Sequence, residues 1–369
     1  MLKCYSHNLK PLKIAKITTL LDFGGQEKQF ISFTESPKIL INNYLFAAIG
    51  HGGNAEKEIR KRGFKIKIFN KNPAIRNLIN IWILYKWFRK EKPDIVHTAA
   101  AEANFHGVIA AKLAGVKKIY AEEIGIPNHS KSAKFIFKLV YKWTDGVICV
   151  SRAVKENLIA IGEIEENKGI AIYNPVSIPK SYNKIPSDKF HFVYVGRLEK
   201  VKNVILLVNA FAQLKEKDNC LLTIIGDGRE RNNIENLITA LSLNSLINLV
   251  GFSDEPEKYV SQADLFVLPS FSEGFGIAAV EAMYLGVPCL CTKIGGIPEF
   301  IIDGENGWLF DPYNEDELVF KMEHIFKLEK HVLNKIGQKG KEYTLNNFTI
   351  EKYIISLEEI YKKRVKNEK

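Results

Sequence analysis

The order strand, glycine turn, helix at residues 264–281 constrains this chain more than any other feature. Asp264-Leu-Phe-Val-Leu-Pro-Ser270 is a short apolar run of branched and aromatic residues, as a buried strand requires. Glu273-Gly-Phe-Gly276 then turns the chain, and Ile277-Ala-Ala-Val-Glu281 opens a helix-forming run. In an open α/β sheet, ligands bind outside the carboxyl ends of the strands, so this turn lies where a site belongs. The backbone N–H groups at a helix start favour an anion such as a phosphate. Two carboxylates near that position, Glu273 and Glu281, suit hydroxyl groups. Phosphate and hydroxyls together suggest a sugar nucleotide.

Strand and helix signals alternate along the rest of the chain, the pattern of a parallel sheet covered on both faces. Residues 14–21, 94–97, 118–121 and 146–150 read as strands of a first sheet, with residues 105–114 as a helix stopped by Gly115. Asn174-Pro-Val-Ser-Ile-Pro179 breaks the pattern, and the polar run to Asp188 reads as a linker. The alternation restarts with residues 192–196 as strand, 204–215 as helix and 221–225 as strand. The division is therefore a first domain over 1–185, a second over 186–345, and a terminal segment over 346–369. That last segment holds an amphipathic helix, residues 348–364, and a basic tail.

At 369 residues the chain suits two domains of ordinary size. It has no apolar run long enough to span a bilayer and no signal-peptide pattern, so a cytoplasmic protein is expected, with Met1 to Lys13 as a polar lead-in. Cysteines 4, 149, 220, 289 and 291 show neither zinc spacing nor a secreted disulfide framework, and read as small buried hydrophobes. Charge is unevenly placed. Residues 1–185 carry 30 Lys+Arg against 15 Asp+Glu, and the remainder 22 against 27. Only the first half is built to face an anionic partner, whether membrane, nucleic acid or polyanionic substrate.

The second half places glycine at strand end after strand end. Gly196-Arg197-Leu-Glu-Lys-Val-Lys202-Asn203 follows its first strand, and an Arg and a Lys on one loop can converge on a diphosphate. A solvated basic loop is the plainer reading of that segment alone. Gly226-Asp227-Gly228, Val250-Gly251-Phe252 and Gly295-Gly296-Ile-Pro298-Glu299 end further strands, and a flat base could rest against the backbone near Gly251.

These motifs, in this order and spacing, resemble the donor half of the retaining glycosyltransferase family 4, whose fold is GT-B. The resemblance covers residues 190–340 closely. It covers the first half more loosely, through Gly24-Gly25-x-Glu27-Lys28 and Pro93-Asp-Ile-Val-His97. It implies two Rossmann-like doubly wound α/β domains facing across a cleft, with the C-terminal helix returning to the N-terminal domain. It implies that Arg197 and Lys202 hold the diphosphate, that Glu273 meets a donor-sugar hydroxyl, and that Glu281 binds the ribose. Backbone at Gly196, Gly226, Gly251, Phe275, Gly276 and Ile277 would complete the donor site, with Gly24 and Gly25 approaching the phosphates from the first domain. Transfer with retention, by front-face displacement, needs positive charge where negative charge develops and no metal. No Asp-x-Asp pair exists in the sequence to chelate one, and no cofactor beyond the nucleotide-diphosphate sugar is expected.

The sequence departs from the family at one point. Many members carry a His after the strand equivalent to residues 118–121, where this chain has Ile124. Glu122 or Glu123 would then orient the acceptor hydroxyl, the competing reading being a solvated acidic turn. His97 reads as structural, and no partner for His51, His106 or His129 is legible.

Two basic segments of the first domain carry aromatics. Residues 76–92 hold Trp82, Tyr85, Trp87 and Phe88 among Lys86, Arg89, Lys90 and Lys92. Residues 131–143 hold Lys131, Lys134, Lys138 and Lys142 at helical spacing, with Phe135, Leu139 and Trp143 adjoining. Such faces suit an anionic membrane surface, although sheet-covering helices with solvated lysines fit the same pattern. The combined reading is a metal-independent hexosyltransferase using a UDP-linked sugar. Its acceptor would be a saccharide or a lipid-linked saccharide of bacterial surface polysaccharide, lipopolysaccharide or glycan assembly, at the inner face of a membrane. The alternatives are a GT-B sugar-nucleotide epimerase and a basic nucleic-acid-binding protein. The second lacks a reading motif, so no nucleic-acid partner is expected.

Overall fold

The computed structural model describes residues 10–22 and 24–363. The chain forms two compact units: the first reaches to Pro175 and resumes at Ile350, and the second is Val176–Thr349. The expected boundary at 185 moves back ten residues for a local reason. Residues 176–187 carry no regular structure, but the Tyr182 amide donates to Ser261 Oγ, Lys184 Nζ to Asp264 Oδ1 at 2.6 Å, and the Ile185 amide to Gln262 Oε1 at 2.7 Å. These bonds tie the stretch to the second unit. Cys4, most of the polar lead-in and the basic tail lie outside the described residues.

The first unit is one parallel sheet. Its strands are β1 (Lys13–Thr18), β2 (Asn43–Ala48), β3 (Lys65–Ile68), β4 (Ile95–Ala99), β5 (Lys118–Glu123), β6 (Gly146–Cys149) and β7 (Gly169–Ala171), in the order β3-β2-β1-β4-β5-β6-β7. The second is also parallel: β8 (Phe190–Val195), β9 (Cys220–Ile225), β10 (Ile247–Gly251), β11 (Leu265–Leu268), β12 (Cys289–Thr292) and β13 (Trp308–Phe310), in the order β10-β9-β8-β11-β12-β13. Both are doubly wound, Rossmann-like arrangements. Each reverses direction beside its first strand, between β1 and β4 and between β8 and β11, and ligands of such sheets bind at these switch points. Helices on both faces explain the strand composition. All four residues of β11 and all four of β12 are buried, so alternation gives way to continuous apolar runs. Cys149, Cys220, Cys289 and Cys291 are buried free thiols.

Two helices of the first unit begin at a serine cap. Ser130 Oγ accepts the Ala133 amide ahead of helix Lys131–Lys142, and Ser151 Oγ accepts the Val154 amide ahead of helix Arg152–Ala160. Three expected helices shift at one end: residues 101–114 are helical from Ala101, the helix after Asn203 stops at Ala212, and the terminal helix begins at Ile350.

The last helix, Ile350–Lys363, packs against the first unit and closes a buried polar layer there. Lys16 on β1, His97 on β4 and Glu122 on β5 lie on one face of the sheet, all fully buried. Lys16 Nζ is 3.3 Å from Glu122 Oε2 and 5.0 Å from the Phe30 ring centroid. Gln29 Nε2 donates to the other Glu122 oxygen and to Asn174 Oδ1 at 3.0 Å. The returning helix brings Tyr353, whose hydroxyl reaches Glu122 Oε1 at 3.4 Å, and Tyr361, 2.6 Å from His97 Nδ1. His97 Nε2 lies 3.1 Å from Glu122 Oε2 without hydrogen-bond alignment. Burial raises the Glu122 carboxyl, but Lys16 and His97 beside it outweigh that and hold it well below the usual carboxylate range. Burial and the Lys16 charge push His97 down to about 4, so its ring is neutral near pH 7.

Candidate active site

In the second unit the site grows from the switch point between β8 and β11. The loop after β8 runs from Gly196 through a short 3-10 turn, Lys200–Lys202, into helix Val204–Ala212. The loop after β11 runs from Pro269 to Gly276 and into helix Ile277–Tyr284. The Phe271 amide donates to Val201 O at 2.8 Å, stitching the two loops together. Thr292 Oγ1, ending β12, donates to Ser270 O at 2.9 Å and fixes the second loop from its other side.

That stitching brings Lys202 to Glu273. Lys202 Nζ stands 2.5 Å from Glu273 Oε1, and Ser270 Oγ donates to the same oxygen at 2.8 Å. Both charged side chains are largely buried, which limits solvent screening of the pair. Arg197 is exposed on the same loop, its carbonyl held by the Tyr194 hydroxyl at 3.0 Å. Burial first, then the Glu273 charge, push the Tyr194 phenol up, and Arg197 partly offsets them. One phenol beneath the loops therefore senses both charges.

Glycine is required where the strand ends close on each other. Gly226 has φ +142°, and a Cβ there would meet Gly196 O at 1.9 Å. The Gly196 amide donates to Ile225 O and the Gly226 amide to Gly251 O at 2.8 Å, so β8, β9 and β10 end in one backbone seam. Gly276, with φ +99°, ends the β11 loop without a side-chain cap, leaving backbone N–H groups at the start of helix Ile277–Tyr284 for a ligand. Phe275 offers only its backbone to that position. Its ring is buried against Phe300 and Phe348, at 5.6 and 5.1 Å between centroids. Ile277 and Glu281 are partly buried in that helix.

Sequence reasoning placed Ser270 at the end of the strand run but gave it no role in the site. It also missed Arg231, whose Nη1 would lie 3.0 Å from a Cβ on Gly251 and which pairs with Glu235 at 2.9 Å. Helical spacing from the Gly226-Asp-Gly228 turn could have found the arginine.

In the first unit, Gly24 and Gly25 precede and open helix Gly25–Phe33 near the carboxyl end of β1. Gln26 Nε2 there donates to Thr18 Oγ1 at 2.6 Å and to Ala99 O at 3.0 Å, bridging β1 and β4 at the switch point. The solvated turn weighed for Glu122 and Glu123 is overturned, because β5 extends through both residues and buries them on opposite faces. Glu122 is committed to Lys16, Gln29 and Tyr353, which removes it from the acceptor candidates. Glu123 Oε1 accepts from Tyr141 and from Asn104 Nδ2, the latter at 2.9 Å, and burial pushes its carboxyl up to about 7. His97 is structural. His129 does have a partner, Glu163 at 2.7 Å. His51 lies 3.7 Å from Asp22, and His106 Nε2 is 3.2 Å from the carbonyls of Pro73 and Ala74. Among the described residues no cluster of metal-ligand type occurs.

The family model for Glycosyl transferases group 1 matches residues 179–343, and that for Glycosyltransferase Family 4 matches residues 42–179. The two adjoin and together span residues 42–343, which hold every strand of both sheets except β1. The chain belongs to glycosyltransferase family 4. An Escherichia coli relative of this family 4 chain, UDP-Gal:alpha-D-GlcNAc-diphosphoundecaprenol alpha-1,3-galactosyltransferase, is 29% identical over 311 residues, covering 78% of this chain and 80% of its own. A Rickettsia africae glycosyltransferase structure superposes with TM-score 0.83 at 24% identity, covering 97% of this chain and all of that one. Anabaena HepE in complex with UDP superposes with TM-score 0.81 at 20% identity, covering 95% and 99%. These neighbours share the GT-B fold, and the two doubly wound, Rossmann-like sheets of this glycosyltransferase match it.

Proposed function

We propose that this family 4 chain is a retaining, metal-independent hexosyltransferase that moves a sugar from a UDP-sugar to a lipid-linked or growing saccharide in bacterial surface-polysaccharide or glycan assembly. The observation that carries the reading is the Lys202–Glu273 pair at the β8/β11 switch point, beside the exposed Arg197. Arg197 and Lys202 bind the diphosphate and offset the charge that grows on it as the C1–O bond breaks. Glu273, held by Ser270, accepts a donor-sugar hydroxyl, and the helix after Gly276 receives a phosphate on its backbone N–H groups. The acceptor oxygen bonds to C1 on the face the leaving group vacates, and its proton passes to the departing phosphate oxygen. Glu281 binds the ribose. The E. coli relative acts, by its name, on UDP-Gal and a diphosphoundecaprenol-linked GlcNAc, which supports both the base and the acceptor class.

Such an acceptor places the enzyme at an anionic membrane face, where the first domain's excess of Lys and Arg favours association. No helix among the described residues is long and apolar enough to cross a membrane. The deciding experiment incubates labelled UDP-, GDP- and ADP-sugars with a lipid-extract acceptor, with and without chelator. Transfer from a UDP-sugar, undiminished by chelator and with the donor's anomeric configuration in the product, is the expected result. Abolition by chelator overturns the metal-free step, and conversion of donor without acceptor identifies an epimerase.

A further inference from the structure

We infer that helix Lys131–Lys142 is the element that docks this protein on an anionic lipid bilayer, lying flat with one side in the headgroup layer. The inference gives the membrane-face reading above a specific surface. Phe137, Val140 and Tyr141 are 1%, 2% and 1% exposed and fix the helix to its domain. The opposite side should then be polar throughout, and it is not. Phe135, Ile136, Leu139 and Trp143 are 64%, 39%, 45% and 44% exposed.

The pattern is ordered. At 3.6 residues per turn, exposed Lys131, Lys138 and Lys142 line up with Phe135 in one stripe, and Ile136, Leu139 and Trp143 form a second stripe roughly a quarter-turn away. The helix carries no acidic residue. Lysines beside an inserted apolar stripe are the arrangement of an in-plane interfacial helix, with aliphatic stems buried and ammonium groups at phosphate level.

The neighbouring elements agree in chemistry. Helix Ala101–Ala114 exposes Lys112 and Leu113, and the start of helix Ile79–Glu91 exposes Ile79 and Trp82. That helix is the weaker candidate, because its Trp87 packs on Phe69 and its Trp82 is already taken by Tyr85, stacked at 5.1 Å, and by Lys86.

Charge selects the occupant. A second copy would bring the same lysine stripe against itself, since a two-fold interface pairs a patch with its own image. Nucleic acid would use the lysines and Phe135 but leaves Ile136 and Leu139 without a role, because aliphatic side chains do not stack on bases. An anionic bilayer satisfies both stripes.

The test is co-sedimentation of the full chain with phosphatidylcholine vesicles, with and without 30% phosphatidylglycerol, in the absence of donor and acceptor. Binding is expected only to the anionic vesicles. A triple variant I136S/L139S/W143S should weaken it at least tenfold, and K131Q/K138Q/K142Q should weaken it and flatten its salt dependence. Both variants change exposed positions, so circular dichroism and the UDP-induced thermal shift should match wild type. W82S, on the neighbouring helix, should reduce binding less than threefold. Vesicle binding unchanged in the triple variant, no vesicle binding by wild type, or binding to RNA but not to vesicles would each overturn the inference. None of these touches transfer to a water-soluble acceptor analogue, which tests the catalytic reading separately.

Discussion

Lys202 Nζ stands 2.5 Å from Glu273 Oε1, and the hydroxyl of Ser270 reaches the same oxygen. The cation assigned to the diphosphate and the carboxylate assigned to the sugar are thus one hydrogen-bonded unit. Preorganisation of this kind is where enzymes gain most of their electrostatic advantage.

Replacing Lys202 by Met removes that charge and leaves Glu273 with Ser270 alone. Turnover should fall by about 10²–10³, the typical loss when one preorganised electrostatic partner is deleted. Glu273→Gln keeps the Ser270 contact and should depress kcat while UDP affinity changes less than tenfold. Steady-state kinetics with parallel UDP titration distinguish the two, and wild-type kcat in either variant would remove that residue from the site.

The seam at the ends of β8, β9 and β10 leaves no room for a side chain. Gly226→Ala would drive a Cβ into the Gly196 carbonyl at a positive φ, forcing the loop that carries Arg197 to shift. A loss of about 1–3 kcal/mol in second-domain stability is expected from overpacking of this kind. UDP binding should weaken in parallel. Thermal midpoints with and without UDP read both effects, and an unchanged midpoint would show that the seam tolerates the methyl.

The Lys16–Glu122 pair should behave as a buried ion pair does. Lys16→Met alone should cost about 3–5 kcal/mol, because it strands a buried carboxylate, whereas Lys16→Met combined with Glu122→Gln should recover much of the loss. Urea titration of the single and double variants measures the coupling. Additive losses would mean the two charges do not depend on each other.

Glu123 gives the first domain a pH signature. Its folded carboxyl titrates near 7 against an ordinary 4.5, so the folded state keeps a proton that the unfolded chain has released. Its contribution is complete below pH 4.5 and disappears as pH rises through 7, amounting to ~3 kcal/mol over that window. His97 acts oppositely: its folded pKa near 4 gives stability that is complete above 6.5 and lost as pH falls toward 4. Comparing Glu123→Gln with wild type at each pH isolates the first effect. Wild type should lose stability relative to the variant between pH 5 and 8, and parallel curves would contradict the assignment.

What the sequence disclosed follows from how local each signal is. The second domain is legible because strand ends, glycine turns and helix starts sit within a few residues of each other, so Gly196 to Lys202 and Ser270 to Gly276 announce their loops. The meeting of Lys202 with Glu273 is not written locally. It depends on the backbone bond from Phe271 to Val201, seventy residues apart in sequence. Glu122 and Glu123 read as acceptor-orienting groups or as a solvated turn because two adjacent carboxylates look exposed, and only the positions of Lys16 and Tyr141 in space reveal what pays for their burial. Likewise, alternating lysines and aromatics at residues 131–143 fit a core helix and a surface helix equally well. The exposures of Leu139 and Trp143 decide between them.

The return of helix Ile350–Lys363 to the first unit bears on how the chain is synthesised. Tyr353 and Tyr361 leave the ribosome only after the whole of the second unit. Until then the first sheet holds Lys16, His97 and Glu122 without two of their hydroxyl partners. The second unit is contiguous and can complete itself first, so the nascent first domain waits, with its polar layer open to water, for helix Ile350–Lys363 to emerge. Truncation before Tyr353 should therefore yield a folded second unit attached to a first domain vulnerable to proteases.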